Sequence, residues 1–428
     1  MEAETTNLFS SLSISKMLKR ALSKGLKHKT MTSCQERSIP IALQKADMVV
    51  KAKTGTGKTM AFLVPSIERI LSKPSSERQN NTSCLIISPT RDLAAQIEGE
   101  ARTKVLPHLR GVSIQTVYGG TNVRRDLQKF KKLKYPDILV ATPGRLLDHL
   151  MNSGLIRAMK GLEVVVFDEA DILMDMGFRR EIEHILQLLP PKTGRQNMLF
   201  SATFEDKIEN VAKLALNSNF SHVDTVGDNT QSTHARVSQC AVLYPFEHHF
   251  AQLKNTLDMA LQDEKAKVMV FFVTANLVKL HSDIFQKAGY HNVLEMHSRL
   301  SQNRRGIVSK KFRDGRRGRN NVMFTSDVSA RGMDYPGVTT VIQVGAPSNK
   351  EQYIHRLGRT ARAGKEGKGV LLLGDFESPF LNVLKGEPIA SQKPQACGVD
   401  GSNENLNSAI DKIDSEVKAK TCLTWLGY

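Results

Sequence analysis

Met48-Val49-Val50 leads into Ala52-Lys53-Thr54-Gly55-Thr56-Gly57-Lys58-Thr59, and residues 60–70 continue with helical apolar spacing. A strand, a glycine loop and a helix in that order form a phosphate cradle. The glycines let backbone N–H groups wrap oxyanions at a helix N-terminus, whose dipole favours negative charge. In that setting Lys58 is placed to reach the β- and γ-phosphates of a nucleotide, and the Thr59 hydroxyl to ligate Mg²⁺. Ala52 stands where the common pattern has its first glycine. The bland alternative, a glycine-rich turn with a chance Lys-Thr, does not account for the strand before it and the helix after it.

Working outward, short apolar runs recur with helical patterns between most of them: Cys84-Leu85-Ile86-Ile87, Ile138-Leu139-Val140, Val164-Val165-Val166-Phe167 and Met198-Leu199-Phe200. This is the pattern of buried parallel strands in βαβ units. Residues 220–240 turn polar and read as a linker. A second series follows at Val268-Met269-Val270-Phe271-Phe272, Val293-Leu294-Glu295-Met296, Val322-Met323-Phe324, Val341-Ile342 and Val370-Leu371-Leu372-Leu373. The expected architecture is two α/β domains in tandem, 1–222 and 241–385, joined by 223–240 and followed by a partly helical extension at 386–428. In that extension Ile410, Ile413 and Val417 share a helical face and Trp425 and Leu426 end the chain, so a short docking helix is expected.

The chain has 428 residues, enough for two or three domains at roughly 100–200 residues each. Lys plus Arg is 60 against 43 for Asp plus Glu, a formal charge of +17 that favours a polyanionic partner. Aromatics are 6%, which argues for recognition of a nucleic-acid backbone over stacking on bases. No apolar run approaches the roughly 20 residues of a membrane span. Cys34, Cys84, Cys240, Cys397 and Cys422 are scattered, with neither a disulfide framework nor zinc spacing. Residues 10–29 are Ser- and Lys-rich without an acid, as transit segments are. The near-helical recurrence of Leu12, Met17, Leu18, Ala21 and Leu22 supports a surface helix instead.

Asp168-Glu169-Ala170-Asp171 puts acids at the end of a buried strand. Beside a phosphate loop, Asp168 would hold Mg²⁺ and Glu169 would orient or activate an attacking water. With these residues the chain resembles the DEAD-box RNA helicases, and nearest among them the fungal mitochondrial splicing helicases and their plant relatives. The motifs run from Gln35 to Arg362, and the resemblance covers roughly residues 9–385.

The resemblance implies two RecA-like domains with ATP and Mg²⁺ between them and RNA lying across both. By similarity Gln35 reads adenine, with Phe9 as its upstream aromatic; Lys27 and His28 replace the family's usual Gly-aromatic pair. Pro89, Thr90 and Arg91 (with Asp92 where Glu is usual), Gly119-Gly120 and Thr142-Pro143-Gly144-Arg145 match RNA-backbone elements. Ser201-Ala202-Thr203 matches the element that couples the nucleotide to closure. In the second domain Gln302, Arg305 and Thr325 match RNA contacts, and Asp334 a nucleotide contact. His355 joins the coupling set, and Arg359 and Arg362 are implied to reach the γ-phosphate from the second domain. Two basic runs, 124–134 and 310–319, either widen the RNA path or are solvated helix faces.

The implied activity is RNA-stimulated ATP hydrolysis coupled to local unwinding or remodelling of RNA, by a monomer that contacts RNA chiefly through its sugar-phosphate backbone, with no membrane partner. An ATP-gated RNA clamp carries the same motifs, and a DNA translocase differs from it only by the resemblance. Nothing in the sequence selects among nucleus, cytoplasm and mitochondrion.

Overall fold

The apolar runs become strands because each is covered on both faces. Val50, Ile86 and Val166 point into one core cluster of the first sheet, and Val49, Leu85 and Val165 into the cluster on its other face. This two-sided burial is why the runs are unbroken rather than alternating. A computed structural model describes residues 8–426 except 54, 79, 134, 205, 226–236, 316–320, 328–334, 362–365 and 393–403. The chain divides into two compact units, Met1–Thr230 and Gln231–Tyr428.

The first unit holds β1 (Met48–Lys51), β2 (Cys84–Ile87), β3 (Ile114–Val117), β4 (Ile138–Ala141), β5 (Val164–Phe167), β6 (Gln196–Ser201) and β7 (Ser221–Asp224). They form one seven-stranded sheet in the order β3-β4-β2-β5-β6-β1-β7. The second unit holds β8 (Val237–Tyr244), β9 (Val268–Phe272), β10 (Val293–Met296), β11 (Val322–Thr325), β12 (Thr340–Val344), β13 (Gly367–Gly374) and β14 (Ile389–Gln392). Its sheet runs β10-β11-β9-β12-β13-β8-β14. The strand pairs in both sheets are parallel, with helices between most successive strands among the described residues. The expected pair of parallel α/β domains is therefore present.

Several boundaries move. Strands occupy both ends of the expected linker: β7 pairs with β1, and Val237 to Cys240 open β8. β7 is a sheet edge with only Val223 buried, so it carries no apolar run to betray it. β14 lies beyond residue 385, inside the expected extension, and pairs with β8. The extension continues as two helices, Glu404–Asp411 and Ser415–Leu426, not one. Asp414 separates them, its carboxylate accepting the Glu416 N–H at 2.7 Å. Leu406, Ala409 and Ile413 join the second unit's core, while Val417 is exposed. Trp425's side chain lies outside the described residues. Near the start, the helix Lys16–Gly25 buries Leu18, Ala21 and Leu22 and leaves Met17 exposed.

One polar chain crosses the second unit's core. Tyr244 Oη lies 2.9 Å from His249 Nδ1, His249 Nε2 lies 2.8 Å from His281 Nε2, and His281 Nδ1 lies 2.8 Å from Leu277 O. The terminal carbonyl can only accept, so each donor is assigned in turn: His281 Nδ1–H to Leu277, His249 Nε2–H to His281, and Tyr244 O–H to His249. Both imidazoles are neutral in this chain. Burial holds both below the ordinary histidine value, His281 at about 4, and the His281 charge would lower His249 further. The folded pKa values lie below the unfolded one, so the unfolded chain binds the extra protons as pH falls. The stability is whole above the unfolded pKa of about 6.5 and is lost toward about 4, by about 1.4 kcal/mol per pH unit for each proton. Melting temperatures between pH 8 and pH 5 are expected to fall below pH 6.5, with a shallower fall in His281→Gln; identical slopes would contradict the assignment.

Candidate functional site

The glycine loop closes on the sequence that precedes it. Thr32 and Gln35 form a reciprocal cap on the helix Ser33–Leu43: Gln35 N–H donates to Thr32 Oγ1, and Thr32 N–H donates to Gln35 Oε1 at 2.9 Å. The same side chains reach the loop. Gln35 Nε2 donates to Gly57 O at 3.0 Å, and Thr32 Oγ1 donates to Thr56 O at 2.6 Å. Gly57 has φ +87°, a conformation that favours glycine, and a Cβ there would lie 2.3 Å from Gln35 Nε2, so any side chain would displace the Gln35 amide. The helix Lys58–Leu71 starts at the next residue and presents its free N–H groups to the loop. Ala52 is fully buried and Thr59 half-buried; Thr54 lies outside the described residues.

Lys58 folds inward. Its Nζ donates to Ala52 O at 3.2 Å and lies 3.0 Å from Glu169 Oε1, both side chains being almost fully buried. Burial alone would lower the ammonium's pKa, but Glu169, Asp168 and Asp171 outweigh it and raise it. The acids show the converse: burial first, then the Glu169 charge, pushes Asp168 up to about 7 and Asp171 up to about 6. Glu169 itself sits in the left-handed region at φ +50°, a conformation that costs a non-glycine residue about 1–3 kcal/mol and clusters at functional sites. Asp168 Oδ1 is buried with no hydrogen-bond partner among the described residues. A hard, orphaned carboxylate oxygen close to a hydroxyl-bearing phosphate loop is a donor set that suits Mg²⁺.

Asp171 has a structural task that the sequence reading did not assign. Its Oδ2 accepts the Ala202 N–H at 3.1 Å and its Oδ1 the Ile172 N–H at 3.0 Å. Ser201 O in turn accepts the Ala52 N–H at 2.9 Å. The acidic turn, the Ser201-Ala202-Thr203 segment and the phosphate loop are thus linked within one unit, through the Asp171 carboxylate and the Ser201 carbonyl.

A second cluster forms at the ends of β2, β3 and β4. Thr90 caps the helix Arg91–Glu100, and Pro143 opens the helix Pro143–Asn152. Arg91's guanidinium lies against Gly120, where a Cβ would come within 2.2 Å of it at φ +76°. Arg145 is buried instead of facing solvent. Its Nη2 donates to Thr121 O and its Nη1 to Asp126 Oδ2, both at 2.7 Å. Asp126 also lies 3.2 Å from His149 Nε2. Asp126 therefore joins the helix Val123–Leu133 to the helix that begins at Pro143, and Arg145 extends the link to the Gly119-Gly120-Thr121 turn. The signal was a lone acid within a basic run; Arg124, Arg125 and Lys129 of that run are exposed, and residue 134 lies outside the described residues.

In the second unit, Arg356 is fully buried and makes a bidentate pair with Asp327, Nε–Oδ1 2.7 Å and Nη2–Oδ2 2.9 Å. Gln352 Nε2 adds a bond to the same carboxylate at 2.9 Å. Neither Asp327 nor Arg356 was singled out from the sequence, although they neighbour Thr325 and His355, which were. Arg359 is buried with Nε donating to His355 O at 3.3 Å, and Ala361 after it has φ +52°. Arg305 bonds Gln302 across one helical turn. Thr325 is buried and its hydroxyl donates to Ser326 O at 2.9 Å. Asp334 and Arg362 lie outside the described residues, as do 316–319 of the second basic run.

Comparisons with known proteins agree with this geometry. A family model for DEAD/DEAH box helicases matches residues 32–211, and one for the helicase conserved C-terminal domain matches residues 248–364. The chain is 42% identical over 407 residues to DEAD-box ATP-dependent RNA helicase 25 of Oryza sativa subsp. japonica, covering 94% of this chain and 67% of that protein. It is 42% identical over 404 residues to helicase 26 of the same organism, covering 94% and 73%. Among solved structures, Mss116p with its NTE and C-tail deleted, bound to ssRNA and AMP-PNP, superposes with a TM-score of 0.86 at 29% identity, covering 97% of this chain and 83% of that one.

The Asp126 cluster makes a stability prediction. Asp126→Ala leaves the buried Arg145 without its anion and is expected to cost roughly 3–5 kcal/mol in chemical denaturation. A loss within the ±0.5 kcal/mol usual for surface changes would show that Arg145 does not depend on this carboxylate.

Proposed function

The chain belongs to the DEAD-box ATP-dependent RNA helicase family, and from that premise we propose that it couples ATP binding and hydrolysis to local unwinding or remodelling of RNA. The observation that carries the reading is the buried Lys58–Glu169 pair at the mouth of the phosphate loop, with Asp168 and Asp171 beside it. An ammonium that exchanges a carboxylate for a phosphate would release Glu169 to accept a hydrogen bond from the attacking water. Gln35, already tied to Gly57, would report an adenine to the loop through its amide. Asp168 and Thr59 would hold Mg²⁺, which when bound supplies positive charge to the phosphate oxygens. Ala202, bonded to Asp171, would transmit the occupancy of this site to the Ser201–Thr203 segment.

RNA is proposed to run along the residues that Arg91 and Arg145 organise: Gly119, Gly120, Thr142 and Gly144 offer backbone N–H and hydroxyl groups suited to phosphates without base identity. Arg145 acts there as a positioning residue, since its guanidinium is held by Thr121 and Asp126. The second unit is proposed to contribute Gln302, Arg305 and Thr325 to RNA binding, and Arg359 and Arg362 to hydrolysis.

Glu169→Gln keeps the shape of the side chain and removes the charge near the water. It is expected to bind ATP and to hydrolyse it at least about a hundredfold more slowly, in steady-state assays with RNA alongside direct nucleotide binding. Near wild-type turnover would remove Glu169 from the reaction. Stimulation by RNA but not by DNA of one sequence is expected as well, and equal stimulation would favour a translocase on DNA. Arg359→Ala is expected to leave ATP affinity nearly unchanged and to lower RNA-stimulated turnover by at least about a hundredfold, since a finger arginine acts on charge that develops in the transition state. Arg359→Lys, which keeps the charge and loses the planar fork, is expected to recover only a small part of it. Full activity in both variants would confine catalysis to the first unit.

A further inference from the structure

The phosphate loop follows the carboxyl end of β1. At the amino end of the same strand, about 13 Å away by the usual rise of a strand, the turn before β1, the start of β6 and the turn before β7 line a cavity of about 330 Å³. Lys45, Arg69 and Arg195 line it with Asp47, Thr193 and Asn219. None of these residues belongs to the motifs of the carboxyl edge.

The cavity holds more positive charge than its acids answer. Arg195 is 5% exposed and, among the described residues, has no ion pair. Its Nε donates to Asn197 Oδ1 at 2.8 Å and its Nη1 to Pro190 O at 2.5 Å, both neutral oxygens. The nearby Asp47 carboxylate already accepts four N–H groups: Asn197 N at 2.7 Å, Asn197 Nδ2 at 3.0 Å, Asn217 N at 2.8 Å and Asn217 Nδ2 at 3.0 Å. Burial lowers the Arg195 pKa to about 10, and Asp47 only partly opposes this. Arg69 pairs through Nε with Glu163 at 2.7 Å, yet Glu163 is shared with Lys73 at 2.6 Å, and Arg69 Nη1 is buried without a hydrogen-bond partner among the described residues. Lys45 stands at the rim, exposed, in a left-handed turn at φ +65°. A buried guanidinium bonded only to neutral oxygens retains an uncompensated charge, which an anion entering the cavity would stabilise.

We propose that this cavity is a second oxyanion site, which takes a phosphate group between the Arg195 and Arg69 guanidinium groups with Lys45 closing the rim. Guanidinium forks match phosphate oxygens in both geometry and charge. Orthophosphate and the phosphodiester of an RNA strand present the same oxygens, and the experiment separates them.

Arg195 also supports its own turn, so the test uses rim residues. Lys45→Asn removes a cation with a residue that tolerates the left-handed turn. Asn219→Asp adds an anion at an exposed position of equal size. The phosphate loop is intact in both proteins, so phosphate bound at Lys58 affects wild type and variant alike. The full chain is melted in potassium phosphate and in potassium chloride at matched ionic strength and pH. Phosphate is expected to raise the wild-type melting temperature by roughly 2–4 °C over chloride, and the double variant to lose most of that rise. A short RNA then replaces phosphate: a variant-sensitive shift assigns the phosphodiester as the source, and no such shift assigns the free anion. An equal rise in wild type and double variant, or no rise in wild type, overturns the proposal.

Discussion

A lysine ammonium withdrawn from water among three carboxylates is the interaction on which the first unit's carboxyl edge depends. Lys58 is kept charged there because Glu169, Asp168 and Asp171 outweigh its desolvation. The balance is uneven, with one cation for three acids, and burial first, then the Glu169 charge, raises the pKa values of Asp168 and Asp171. A site with surplus negative charge and an orphaned carboxylate oxygen is suited to a divalent cation, and a cation in turn makes room for the phosphates of a nucleotide. The parallel sheet supplies the geometry: β1 and β5 both end at this edge, so the glycine loop and the acidic turn are brought together by strand direction.

The second unit repeats the principle of a buried cation held by a carboxylate. Its buried cation, Arg356, is fixed by a bidentate carboxylate from Asp327, and its guanidinium also lies 5.7 Å from the centre of the Phe271 ring. This ties the residues after β11 to the helix Lys350–Leu357, which carries His355 and leads into Arg359. Both units place a non-glycine residue in the left-handed region within these motifs, Glu169 in one and Ala361 in the other. Strain of that kind persists only where surrounding contacts determine the backbone, here the Asp171–Ala202 bond and the Thr360 hydroxyl donating to Val338 O at 2.7 Å.

Much of this was legible from local pattern. The glycine loop, the central strands and the acidic turn each have a short-range physical signature, and strand direction then aligns their ends. What escaped had no such signature. β3 is buried throughout yet carries Gln115 and Thr116 between its apolar ends, and the edge strands β7 and β14 lack apolar runs because they bury few of their side chains. The Thr142–Arg145 motif implies an RNA-backbone element; the pairing of Arg145 with Asp126 depends on a helix about twenty residues earlier, which periodicity does not report. The His249–His281 chain joins two helices across the core and was invisible for the same reason.

The sequence by itself determined the order of elements, the chemistry of the carboxyl edge and the kind of anion it accepts, because a glycine loop, a lysine and an acid pair at strand ends permit little else. Only the tertiary structure decided which charges are paired. It placed Lys58 on Glu169, Arg145 on Asp126 and Arg356 on Asp327, and left Arg195 with neutral partners. The reason is that pairing of buried charges depends on distance and desolvation, and both are set by packing between segments far apart in the chain.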